Sequence, residues 1–106
     1  MIDRECDVRR LLEEEGWLVV RAAGSKGVAD LVALKAGIAD PLLSTKCRLI
    51  EVKSTAQSPY ERFGPAKRVA LAEAARRAGG TAWIAWWPPR RPLQWIRVVD
   101  ERPSDG

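Results

Sequence analysis

Histidine and asparagine are both missing from this 106-residue chain, and cysteine occurs only twice. Without histidine there is no imidazole general acid or base, no histidine-metal nuclease centre and none of the common zinc sites. Cys6 and Cys47 are too few for a disulfide framework and too far apart for a CxxC site, so both are expected to be reduced core residues. Long apolar runs are lacking too: the longest, Thr81 to Trp87, falls far short of the roughly 20 residues that span a bilayer. The opening Met1-Ile-Asp-Arg-Glu has no apolar core of a signal peptide, which leads to the expectation of a cytoplasmic protein. Any chemistry must therefore be done by carboxylates, lysine, hydroxyls or a bound metal.

Length and charge narrow the field further. A chain of this size buries roughly two thirds of its unfolded surface in one core, so a single domain over residues 1–100 with a frayed tail at 101–106 is expected. Lysine and arginine total 18 against 14 acidic residues, a net charge of +4. That balance suits a polyanionic partner without demanding one.

Periodicity then places the elements. Asp3 can cap a helix running to Glu15, with Cys6, Leu11 and Leu12 as its apolar stripe and Gly16 as its stop. Trp17 to Arg21 reads as a strand, residues 22–29 as a glycine-containing loop, and Asp30 to Ala36 as a second strand. A connection over residues 37–45 holds Leu42 and Leu43, which are expected to tuck against the sheet. Cys47 to Ser54 is a third strand, and residues 56–64 form a polar, flexible passage. Pro65 suits the first turn of a helix whose face is Val69, Leu71, Ala72, Ala75 and Ala78, ending at Gly79-Gly80. Two more strands, Thr81 to Trp87 and Leu93 to Val99, flank a proline-rich hairpin. The order predicts an α/β sandwich: a central mixed five-stranded sheet flanked by helices, its first three strands an antiparallel meander and its fourth delivered by a helical crossover.

Chemistry concentrates in Asp30 and in Glu51-Val52-Lys53. Strand alternation puts Glu51 and Lys53 on one face, and both they and Asp30 border apolar runs, Leu49-Ile50 and Leu31-Val32. An isolated Glu-x-Lys triplet is more often a solvated pair on an edge strand, and Asp30 alone is more often a turn residue. Charge set at the edge of a core by two strands is a different matter. Two carboxylates can hold a divalent cation with water left in its shell, the Val52 carbonyl can add a ligand, and Lys53 can orient a water or neutralise a phosphate. Gly24-Ser-Lys-Gly27 lacks the spacing of a nucleotide-binding P-loop and leads into a strand, so no nucleotide cofactor is expected.

Glu5 in the first helix, the Arg21-Ala-Ala-Gly-Ser25 loop, Asp30 and Glu51-Val52-Lys53 resemble the PD-(D/E)XK nuclease superfamily, and most closely its archaeal-type Holliday junction resolvases. The resemblance implies a restriction-endonuclease-like fold and a Mg²⁺-dependent endodeoxyribonuclease, with Mn²⁺ able to substitute. A homodimer that nicks four-way junctions symmetrically, leaving 5′-phosphate and 3′-hydroxyl ends, follows by the same resemblance. Asp30 and Glu51 then resemble the metal carboxylates, Lys53 the catalytic lysine, Glu5 the helix acid completing the metal site, and Ser25 the loop serine near the scissile phosphate. Arg9, Arg21, Ser25, Lys26, Lys67 and Arg68 are the expected DNA contacts. Two positions depart from the pattern: Ala29 stands where the superfamily name records proline, and Pro65-Ala-Lys-Arg68 stands where a glutamine is common. Another nuclease of the superfamily, of flap, nicking or restriction type, and a noncatalytic DNA-binding module on the same scaffold remain open alternatives.

Five tryptophans are many for this length. Alternation puts Trp83 and Trp87 on one face of their strand and Trp86 on the other, with core packing expected for Trp83 and Trp17. For the remaining aromatic surface a dimer interface is the first expectation and base stacking the second.

Overall fold

The computed structural model describes residues 4–21, 29–36, 45–61 and 63–99, the side chain of residue 61 excepted. Helix α1 (Arg4–Glu14) leads into strands β1 (Leu18–Arg21), β2 (Leu31–Ala36) and β3 (Thr45–Lys53). A short 3-10 turn (Pro59–Glu61) precedes helix α2 (Pro65–Arg77), and β4 (Thr81–Trp86) and β5 (Gln94–Val98) complete the chain. The five strands form one sheet in sequence order. β1, β2 and β3 pair antiparallel, β3 and β4 parallel, and β4 and β5 antiparallel. The parallel step needs a crossover, and α2 provides it. The expected meander, helical crossover and mixed sheet are therefore present.

Each helix covers one face. Val8 and Leu12 of α1 pack with Trp17, Val19, Leu31, Ala33, Ile50 and Ala85, whereas Leu71, Ala72 and Ala75 of α2 pack with Leu49, Phe63, Ala82, Ile84 and Val98. Neighbours Leu49 and Ile50 thus serve opposite layers, as the period of a doubly covered strand requires. The acidic end of α1, Glu13 to Glu15, has no basic residue in its last turn. Lys35 of β2 supplies the missing charge, donating from Nζ to the Glu15 carbonyl at 2.7 Å.

Gly80 lets the crossover close. A Cβ there would collide with the Cys47 carbonyl oxygen and Cβ, so only glycine permits the end of α2 to lie this near β3. Backbone strain is located at Arg90, a non-glycine residue with φ of 62° in the hairpin between β4 and β5.

Several expectations change. Leu11 is exposed and Val8 takes its place in the α1 stripe, because the core-facing positions are four apart. Cys6 is exposed rather than a core residue, and Cys47 is half-buried. The passage after β3 is less loosely held than its composition suggests: Pro59 and Phe63 are buried, and Trp86 Nε1 donates to the Thr55 carbonyl at 2.8 Å. β3 begins at Thr45, two residues earlier than predicted, since Thr45 pairs Ala36 and Lys46 pairs Lys35. The Asp3 cap, Leu42, Leu43 and the 101–106 tail lie outside the described residues. Among the described residues no helix is long and apolar enough to cross a membrane.

Candidate active site

Asp30 sits one step beyond the last β2–β3 pair, Leu31 with Ile50, and its own N–H donates to the Ile50 carbonyl at 2.9 Å. That step brings it beside Glu51. Its Oδ2 accepts the Val52 N–H at 2.8 Å, which ties the carboxylate of one strand to the backbone of the next. Glu51 and Lys53 share the α2 side of β3, and Lys53 Nζ lies 3.5 Å from Glu51 Oε1. Their side chains keep only 15% and 20% of their accessible surface for Glu51 and Lys53 respectively. Phe63, itself buried, backs the ammonium at 5.8 Å.

Burial and the adjacent Asp30 carboxylate push the Glu51 carboxyl up to about 7, with Lys53 pulling the other way. Loss of water is the largest cause and like charge the second. Two acids forced together at a half-buried strand end, with one ammonium against them, form a place where a further cation is favoured. The donor set fits Mg²⁺, a hard ion that takes one or two carboxylates and keeps several waters.

The structure does not bring every predicted residue to this point. Glu5 pairs with Arg21 at 3.3 Å on the α1 side of the sheet, so the helix acid faces an arginine rather than the Asp30–Glu51 pair. Among the described residues no three acidic or thiol side chains gather closely enough to hold a metal by themselves. Arg9 pairs with Glu13 along α1 at 3.6 Å. Arg68 donates to the Phe63 carbonyl at 3.0 Å and stacks on Tyr60 at 4.5 Å, while Lys67 is exposed in the first turn of α2. Ser25 and Lys26 lie outside the described residues. Phe63 was not among the expected site residues; its signal was a lone phenylalanine just before the Gly64-Pro65 helix start.

The tryptophans are drawn inward. Arg48 of β3 lies over Trp17, Trp83 and Trp95 at 4.6, 5.0 and 5.9 Å, and Trp83 meets Trp95 edge to face at 6.3 Å. Trp87 is covered by Arg4 at 4.3 Å. Among the described residues the exposed large apolar side chains are instead Leu11, Leu18, Val20, Tyr60 and Val99. Broad exposed indole surface is thus not what the fold offers a partner.

Comparison with solved structures finds a match to the Hjc protein of the hyperthermophilic archaeon Archaeoglobus fulgidus, a Holliday junction resolvase, with 26% identity and a TM-score of 0.67. The match covers 89% of this chain and 69% of that one. A comparison with curated protein sequences gives no match. The model of the archaeal Holliday junction resolvase (Hjc) family matches residues 2–103, which takes in both helices, all five strands and the Asp30–Glu51–Lys53 cluster. The chain belongs to the archaeal Holliday junction resolvase family.

Proposed function

We propose that this protein is a divalent-metal-dependent endonuclease that resolves four-way DNA junctions as a homodimer, by paired symmetric nicks that leave 5′-phosphate and 3′-hydroxyl ends. The observation that carries the chemistry is the meeting of Asp30, Glu51 and Lys53 at adjacent strand ends. Family membership carries the substrate. Asp30 and Glu51, with the Val52 carbonyl, hold Mg²⁺ or Mn²⁺. The bound ion supplies an acidified water and takes up charge on the phosphoryl oxygens.

The chain's own groups do the rest. Asp30 stays in place because the Val52 N–H fixes one of its oxygens. Glu51 must be ionised to bind the cation, and with its carboxyl raised to about 7 a proton competes with the ion below neutrality. Lys53, held against Phe63 and Glu51, aims its ammonium at the phosphate or the attacking water. Ser25, Lys26, Arg9, Lys67 and Arg68 contact the DNA backbone, and Arg21 does so by exchanging Glu5 for phosphate.

The test is cleavage of a fixed four-way junction beside excess linear duplex. Asp30→Asn and Glu51→Gln should abolish cutting while junction binding in Ca²⁺ is retained. Cutting by either variant, or equal affinity for junction and linear duplex, would count against resolution.

A further inference from the structure

Arg48 is an unusually placed cation. Its guanidinium lies among three indole rings on the α1 side of the sheet. A guanidinium held against aromatic rings can still offer its N–H edge, the part that grips an oxyanion in a fork. Among the described residues no carboxylate, carbonyl or hydroxyl accepts from that edge.

Arg48 also lines a cleft of about 340 Å³, with Trp17, Lys46, Thr81, Trp83 and the Gly79–Gly80 turn. Among the described residues no acidic side chain lines it. Lys46 projects on the Arg48 side of β3, by alternation, and is exposed. Lys35 stands opposite Lys46 in the next strand, but its ammonium is engaged by the Glu15 carbonyl. Thr81 Oγ1 accepts from Trp83 Nε1 at 2.7 Å, which fixes one wall. Packed rings, a guanidinium and an exposed ammonium, with no counter-charge among the described residues of the lining, suit an anion.

That site is separate from the carboxylates. Arg48 and Glu51 are three residues apart, about 10 Å along the strand, with side chains on opposite faces. A single phosphate cannot lie against both. We propose that the Arg48–Lys46 cleft binds a backbone phosphate of a DNA strand away from the cleavage point, an anchoring contact that rests on the DNA-cutting reading above.

The experiment uses the full chain with Arg48→Lys, which keeps charge and loses the fork, and Lys46→Ala, an exposed position that leaves the fold intact. Junction affinity is measured in Ca²⁺ over a range of salt. Arg48→Lys should weaken binding about tenfold, and Lys46→Ala should lower the slope of log affinity against log salt by about 1. Cutting at saturating junction should change less than about twofold in both, since neither residue touches the reacting phosphate. Affinity and salt slope within error of the parent in both variants would overturn the proposal. Tryptophan fluorescence gives the second arm, titrated with inorganic phosphate, thymidine 5′-monophosphate and a polyglutamate peptide. Quenching by the phosphates that is lost in the variants, with junction affinity unchanged, would make free phosphate the occupant and overturn the DNA contact. Quenching by polyglutamate alone would overturn it in favour of an acidic protein partner. Should Asp30→Asn still cut DNA, the metal-site reading fails, while the affinity differences at Arg48 and Lys46 stand or fall independently.

Discussion

Asp30 grips the backbone of the strand beside it: its Oδ2 accepts the Val52 N–H at 2.8 Å, between the two residues, Glu51 and Lys53, that share its chemistry. The acid therefore has a structural duty besides any catalytic one. Asp30→Ala removes the acceptor from a part-buried N–H and should cost roughly 1–3 kcal/mol of stability. Asp30→Asn keeps a carbonyl oxygen in the same place and should cost less than half as much. Urea denaturation without divalent ions checks the difference, and equal losses would show that the hydrogen bond contributes nothing.

Glu51 has the opposite character. Its carboxyl, at about 7 in the fold against 4.5 in the open chain, binds its proton more tightly when folded. The folded state thus holds more protons between those values, and stability falls as pH rises through that window. Metal-free protein should be most stable below about pH 4.5 with respect to this group, and should lose that contribution by pH 7 to 8. Glu51→Gln should flatten the profile and raise the melting temperature at pH 8 in EDTA. A variant no more stable than the parent at pH 8 would contradict the strain assigned to this pair.

The same proton competes with the metal. Below about pH 7 each unit of pH should weaken Mg²⁺ binding about tenfold, because the ion must displace the proton from Glu51. Calorimetry at pH 5.5, 6.5 and 7.5 measures it directly. Affinity independent of pH over that range would place the ion elsewhere.

Arg90 carries a local backbone strain. Its φ of 62° lies in the left-handed region, which glycine adopts without a Cβ clash. Arg90→Gly should be neutral or stabilising by up to about 1 kcal/mol, with the hairpin unchanged. A loss of more than that in thermal denaturation would mean that the side chain holds the turn.

Local pattern in the chain was enough to find most of the frame. The Pro65 start and Gly79-Gly80 stop bound α2, and alternation correctly separated Trp86 from Trp83 and Trp87, because both signals act within a few residues. Glu51 and Lys53 were legible for the same reason, and Asp30 because a charge abuts an apolar run. What stayed hidden depends on strand order. Arg48 meets Trp17, Trp83 and Trp95 only once β1 to β5 are laid side by side, and Glu5 finds Arg21 only once α1 crosses the sheet. Val8 rather than Leu11 faces the core because the angle of α1 on the sheet decides it, and that angle is tertiary.

β3 is hydrogen-bonded on both edges, and its alternate residues answer to different masters: Arg48 and Ile50 to one layer, Leu49, Glu51 and Lys53 to the other. Adding or deleting one amino acid before Ile50 would invert that assignment, driving Glu51 and Lys53 against aliphatic α1 and turning Ile50 toward α2. Descendants of this gene can vary this strand by exchange at fixed length, and hardly at all by changing how many residues it contains.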